Sequence, residues 1–197
     1  MSLLQRLLNR KQKMKVALDI DDVLAAFADE VHVKFNKTIK PHNHWASDES
    51  TGKLLLKTDN TGKVTGYTPA YLTKCEHNKD FWNELPILSL PCDIDFEVAC
   101  YITSSPSEMV GIRRAWLKRH GFPLAPVMHS KNKAETMRRL GVDLLIDDKV
   151  STVEQVNAKE GLFALHFQPW YCNVEAYNSK GKSITIKSLK EVKKWLK

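Results

Sequence analysis

The feature that most constrains this chain is a series of short apolar runs alternating with clear helix-start signals. Lys15-Val16-Ala17-Leu18 is apolar after its first residue and stops abruptly at Asp19. Val98 to Ile102, Val127-Met128, Asp143 to Ile146 and Leu162 to His166 are runs of the same kind. Each is too short for a stable helix and reads as a buried strand. Helical segments lie between them. Ala25 to Asn36 carries Ala26, Phe27, Val31, Val33 and Phe35 as its apolar residues. Ser105-Pro106-Ser107-Glu108 combines a serine cap, a proline at the first helical position and a glutamate at the third, and its helix ends at Gly121. Asn132-Lys133-Ala134-Glu135 opens another helix, closed by Gly141. Ser151 and Glu154 form a further capping box, and Leu189 to Leu196 is the last helix. Strands alternating with helices imply βαβ units, hence an α/β three-layer sandwich with a mainly parallel sheet.

One stretch breaks this rhythm. From about Lys37 to Lys79 the chain is polar, rich in Thr, Asn, His and Lys, and weakly periodic. Leu54 to Thr58 and Lys63 to Thr65, with Asp59-Asn60-Thr61-Gly62 between them, read as a β-hairpin. The expected organisation is therefore a basic extension over 1–13, a core over 14–27 and 88–197, and an inserted cap over 28–87.

In an open parallel sheet, ligands bind beyond the carboxyl ends of the strands. Three expected strands end in reactive groups: Asp19-Ile20-Asp21-Asp22, Thr103-Ser104-Ser105, and Asp147-Asp148. A lysine-bearing helix start, with Lys131 and Lys133, lies between the last two. Carboxylates gathered in one crevice repel each other, and Mg²⁺ relieves this with oxygen ligands while keeping places for phosphate oxygens. Hydroxyls and backbone N–H groups at a helix start hold phosphate, and a lysine neutralises a transferring phosphoryl group. An aspartate can attack phosphorus. A second one two residues on, on the same side of an extended segment, can move protons.

Val16 to Leu24 (VALDIDDVL) resembles the first motif of the HAD superfamily, an apolar strand followed by Asp-x-Asp-x-Thr/Val. Tyr101 to Pro106 resembles the second motif, Lys131 or Lys133 supplies the third, and Leu144 to Asp148 resembles the fourth. The likeness extends to the 5′(3′)-deoxyribonucleotidase branch through Asp19 to Phe27, Phe81 to Ile87, Ile102 to Pro106, and Phe167 to Asn173. The resemblance implies Asp19 as nucleophile and Asp21 as acid/base. It implies Thr103 as the phosphoryl contact, or Ser104 if the alignment is anchored on Pro106, together with Lys133 or Lys131. It implies Mg²⁺ held by Asp19, Asp147, Asp148 and the Asp21 carbonyl. The implied reaction is hydrolysis of a phosphate monoester, with a nucleoside monophosphate as substrate. Nucleic-acid ends, or phosphate binding without turnover, are the alternatives. Asp22 departs from the branch, which often has Gly there, and Lys53 to Tyr67 has no counterpart.

Phe27, Trp45, Phe81 and Trp82 could line a wall for a flat base or form a small cap core. His42 and His44 read as solvent-facing residues of a polar loop. The formal net charge of +7 favours anionic ligands, although the lysines of the last helix read as solvated. The four cysteines, Cys75, Cys92, Cys100 and Cys172, form no metal-type pair and read as reduced thiols of a cytoplasmic protein. No apolar run is long enough to span a bilayer, so no membrane partner is expected. The chain could act alone or as a homodimer.

Overall fold

Side chains alternate between the two faces of a strand, and β1 (Val16–Leu18) shows the consequence. Val16 and Leu18 join one core cluster while Ala17 joins the other, and all three are buried. A strand buried on both faces belongs in the middle of a covered sheet. The structure, a computed structural model, describes residues 14–34, 56–58, 64–67, 78–170 and 184–196 of the 197-residue chain. The basic extension, the His42 and His44 pair, Trp45, Cys75, Cys172 and the expected hairpin turn lie outside the described residues.

The described strands of the main sheet are β1, β4 (Val98–Thr103), β5 (Val127–His129), β6 (Leu144–Asp147), β7 (Phe163–Phe167) and β8 (Ile184–Ile186). They run in the order β5-β4-β1-β6-β7-β8, and every pairing is parallel. After β5 the chain crosses over β4 and β1 to lay down β6 on the far side of β1. That reversal is the switch point at which α/β sheets open a crevice. Helices α3 (Val110–Arg119), α4 (Lys133–Leu140) and α5 (Val150–Asn157) make the crossovers. Trp116 and Leu117 of α3 pack with Leu18 and Ile146 on one face. Met137 of α4 and Val153 and Val156 of α5 pack with Ala17, Ile102 and Leu145 on the other. This is the expected three-layer α/β sandwich. Among the described residues, no helix is long and apolar enough to cross a membrane.

α1 (Phe27–Lys34) and α2 (Lys79–Glu84) flank the polar stretch, within which β2 (Leu56–Thr58) and β3 (Val64–Tyr67) pair antiparallel. The chain leaves and returns at one place: Ala26 N donates to Pro86 O at 2.9 Å, and Leu88 N donates to Leu24 O at 2.7 Å. Because Ala25 bridges to Ile87, α1 starts at Phe27 rather than at Ala25.

Two helix starts and the type of the last helix differ from expectation. Ser105 does not cap α3. A 3₁₀ turn (Ser107–Met109) precedes that helix without a side-chain cap, and the Ser105 hydroxyl meets Thr103 Oγ1 at 3.0 Å instead. Ser151 lies inside α5, whose cap position is Lys149. There the Asp147 carboxylate accepts from Lys149 N at 2.9 Å, doing locally what Ser151 was expected to do. The last helix is 3₁₀ (Leu189–Trp195), with its capping box at Ser188 and Glu191. Asn132, by contrast, caps α4 as expected, and Gly141 ends it with φ 63°. β8 has no strong sequence signal, being three residues after a lysine-rich segment.

Of the described cysteines, Cys92 is exposed and Cys100 buried, and both are free thiols. Burial pushes the Cys100 thiol up to about 11, which leaves it unreactive at neutral pH. Lys190, Lys193 and Lys194 are mostly exposed and make surface ion pairs with Asp93, Asp95 and Glu191. Such pairs contribute little to stability.

Candidate active site

The register of the sheet assembles the site. Leu18 pairs with Tyr101 on one side and Ile146 on the other. Asp19 therefore leaves β1 beside the end of β6, and its N–H continues the ladder to Ile146 O at 2.9 Å. Thr103 and Asp147 end the two flanking strands. Residues 128 apart in sequence thus come to one sheet edge.

Lys133, the first residue of α4, reaches into this edge. Its Nζ is 2.6 Å from Asp19 Oδ2 and 2.7 Å from Asp147 Oδ2, and the side chain is almost wholly buried. Lys131 is exposed, on the outer side of the Asn132 cap. Of the two candidate lysines, geometry brings only Lys133 to the carboxylates. Asp19 Oδ1 accepts from Ile20 N at 2.7 Å, which leaves its carboxylate fixed at both oxygens. Oxygens of Asp19, Asp147 and Asp148 lie within 4.8 Å of one another.

Burial raises the Asp19 carboxyl to about 7, with Lys133 opposing and Asp147 and Asp21 reinforcing. Asp148 is pushed well above the ordinary carboxylate range, first by burial and then by Asp22, Asp147 and Asp19. Burial on its own would lower Lys133, but Asp147 and Asp19 outweigh it and hold the ammonium above its usual value. The cluster is therefore short of positive charge. Hard oxygen donors at this separation, in an electrostatically starved crevice, fit a divalent cation such as Mg²⁺. The linkage has a definite sign. An aspartate raised in the folded state contributes stability below its unfolded value of 3.8 and loses it as pH rises toward about 7. A cation binds the deprotonated form. Added Mg²⁺ should therefore raise the melting temperature far more at pH 8 than at pH 5, by roughly 5–10 °C at a hundredfold excess over Kd. Equal shifts at the two pH values in a thermal melt would count against a cation at this cluster.

Asp21 faces the other strand. Its Oδ2 accepts from Thr103 Oγ1 at 3.1 Å, and its Oδ1 pairs with Arg113 Nη2 at 2.6 Å. Thr103 is completely buried, and its hydroxyl also accepts from Ser105 N. Ser104 is exposed, and its hydroxyl donates to Ser130 O at 3.1 Å. Thr103 thus serves Asp21, and Ser104 is the exposed hydroxyl of the two. Asp22 is used locally. Its φ is 58°, the left-handed region, which explains why a glycine suits this position. Its Oδ1 accepts from Ala28 N at 2.8 Å, in the first turn of α1.

The aromatic wall is corrected in part. Phe81 and Trp82 are each 3% exposed and belong to the main core. Phe27 stacks on Trp82 at 5.2 Å and meets Phe81 edge-on at 5.7 Å. Aromatic area of this size gains most when it is removed from water, so Phe81 and Trp82 act as packing. Phe27 keeps partial exposure.

Two residues escaped the sequence reading. His166 on β7 is buried, and its Nε2–H donates to Asp148 O at 2.9 Å while Nδ1 faces Thr185 Oγ1 at 3.3 Å. Burial lowers its pKa, so the neutral ring steadies the Asp148 backbone. Arg113 is the other. A signal existed for it: Met109, Trp116 and Leu117 form a buried stripe, and Arg113 stands in that stripe at helical spacing.

An open, all-parallel six-stranded sheet between helices is a Rossmann-like α/β fold of the HAD type. A particular solved protein to which this chain is similar is an L-2-haloacid dehalogenase, with TM-score 0.53 and 9% identity over 94% of this chain and 100% of that one. At that identity the likeness concerns the fold. No protein-family model matches the chain, and no curated protein matches it.

Proposed function

We propose that the protein is a Mg²⁺-dependent phosphate monoester hydrolase that works through an aspartyl-phosphate on Asp19, with nucleoside monophosphates as the preferred substrate class. One observation carries the reading: Lys133 lies between Asp19 and Asp147 at 2.6 and 2.7 Å, beside Asp148, at the open end of the sheet. Asp19, Asp147, Asp148 and the Asp21 carbonyl would hold the cation. When bound, it supplies positive charge to the phosphoryl oxygens and to the attacking carboxylate. The rest falls to the chain's own groups.

Lys133 and the Ser104 hydroxyl hold the phosphoryl oxygens. An Asp19 carboxylate oxygen attacks phosphorus, the bond to the ester oxygen breaks, and that oxygen takes the proton that Asp21 must carry at the start of the cycle. In the second half, Asp21 as carboxylate takes a proton from water as the water oxygen attacks phosphorus. The acyl phosphate cleaves to free Asp19 and inorganic phosphate. The sum is ester plus water giving alcohol plus phosphate.

The dehalogenase likeness suggests a rival, carbon–halogen hydrolysis at the same aspartate. A halide leaves without a proton, so carbon–halogen cleavage gives Asp21 a task only in the later hydrolysis, as a base, and none as an acid. The alkoxide of a phosphate ester needs an acid. The preference for nucleotides rests on the likeness of Asp19 to Phe27 and Phe81 to Ile87 to the deoxyribonucleotidase branch, and the net charge of +7 suits an anionic substrate. The test is a panel of deoxy- and ribonucleoside monophosphates, sugar phosphates, 3′-phosphorylated oligonucleotides and 2-chloropropionate, with and without Mg²⁺. Mg²⁺-dependent phosphate release, fastest from nucleotides, is expected. Chloride release without phosphate release would overturn the reading. Oligonucleotide ends as the best substrate, with steep loss of affinity in salt, would replace the substrate class.

A further inference from the structure

Asp21 is held by a residue that no motif announces. Arg113 sits near the start of α3 with no exposed surface, and its Nη2 is 2.6 Å from Asp21 Oδ1. Its Nη1 donates to the carbonyl of Trp82 in α2 at 3.1 Å. The guanidinium is sandwiched between aromatic rings, 5.5 Å from the Trp82 ring centroid and 5.0 Å from that of Trp116. Trp116 is itself fixed, its Nε1 donating to Leu85 O at 2.8 Å. Arg113 Nε makes no hydrogen bond and is buried.

A buried ion pair is a poor way to gain stability, because desolvating both charges offsets most of their attraction. An apolar side chain in this slot, between two tryptophans, would pack as well. What the arginine adds is geometry. A planar fork joins two partners at a fixed separation, here the Asp21 carboxylate and the backbone of α2. Thr103 Oγ1 holds the other Asp21 oxygen at 3.1 Å. The carboxylate is thereby denied rotation, yet its side chain keeps 18% exposure. A second clamp joins the same two helices, since Arg119 Nη1 donates to Asn83 Oδ1 at 2.8 Å.

Resting on the phosphatase reading above, we propose that Arg113 is the positioning residue that aims Asp21 for proton transfer and registers it against α2, the helix at the return of the inserted segment. Arg113 touches no reacting atom. It acts through Asp21, so its loss should harm the steps that need a proton and spare those that do not.

The experiment compares two esters in the first turnover, where breakdown of the acyl phosphate does not contribute. A nucleoside 5′-monophosphate releases an alkoxide that must be protonated, whereas p-nitrophenyl phosphate releases a phenolate that leaves unaided. Arg113→Met should slow the nucleotide by roughly 10²–10³-fold, the usual worth of a general acid, and p-nitrophenyl phosphate by less than about tenfold. Arg113→Lys should restore part of the nucleotide rate, and it keeps the buried charge should Arg113→Met fail to fold. In an Asp21→Asn background, Arg113→Met should add little. Equal losses on both esters, or multiplying losses in the double variant, would overturn the proposal and reduce Arg113 to a packing residue. Wild-type protein that released no phosphate from either ester would instead overturn the phosphatase reading. The thermal midpoints of the two single variants and the double would then still test the link, since additive shifts would show that Arg113 and Asp21 are not coupled.

Discussion

Asp19→Asn is expected to abolish phosphate release, with kcat falling by roughly 10⁴–10⁶-fold, the scale on which removal of a covalent nucleophile acts. The amide keeps the size of the side chain and its hydrogen bond from Ile20 N, which the wild-type carboxylate accepts at 2.7 Å. The fold should survive. Burial raises the wild-type carboxyl to about 7, so a neutral side chain is already half tolerated there, but the amide nitrogen would face the Lys133 ammonium in place of Asp19 Oδ2, so the variant should melt only modestly lower than wild type near pH 7. Activity and stability therefore separate. Trapping after acid quench gives the complementary measurement: labelled phosphate should remain on the wild-type chain and be absent from Asp19→Asn. A variant that kept even a tenth of wild-type activity would remove Asp19 from the chemistry.

Lys133→Met should damage both. The ammonium lies between Asp19 and Asp147 with 3% of its side chain exposed. Removing it strands two carboxylates in a buried site, and breaking a buried pair in this way costs about 3–5 kcal/mol. The cost should shrink at low pH. Asp19 takes up a proton below about 7, and a neutral carboxyl needs no counter-charge. Urea unfolding at pH 5 and pH 8 should show the larger loss at pH 8. The catalytic loss should be about 10²–10³-fold, as when one stabiliser of transition-state charge is deleted. Lys131→Met, two residues away on the exposed side of the cap, should leave stability within about 0.5 kcal/mol of wild type. If Lys131→Met proved the more damaging of the two, the assignment of the lysine would be reversed.

Much of this site could be read before any coordinates. Asp19, Thr103 and Asp147 announced themselves because each ends an apolar run, and a parallel sheet places such ends on one edge whatever the details of the helices. The choice between Lys131 and Lys133 was only partly legible, since both flank the helix start, where a lysine is unfavourable unless an anion is near. It depends on the phase of α4, set by the Asn132 cap and by the burial of Ala134 and Met137. Helix-start signals misled where tertiary partners competed. Ser105 looked like a cap and is held by Thr103 instead, and the Lys149 amide is taken by Asp147, so Ser151 has no capping task. Phe81 and Trp82 carry the composition of a ligand wall, but their burial follows from where α2 packs against α3.

The sequence by itself determined the architecture and the acidic edge, because short continuous apolar runs and their acidic ends are local properties of the chain. It also determined that the acidic residues would need compensating charge. Only the tertiary structure decided which charges compensate which. Arg113 meets Asp21 across 92 positions and Lys133 meets Asp147 across 14, and in each case the pairing is set by how a helix lies on the sheet. Periodicity can mark Arg113 as buried, but it does not name the partner, since one side chain's reach depends on packing contributed by many others.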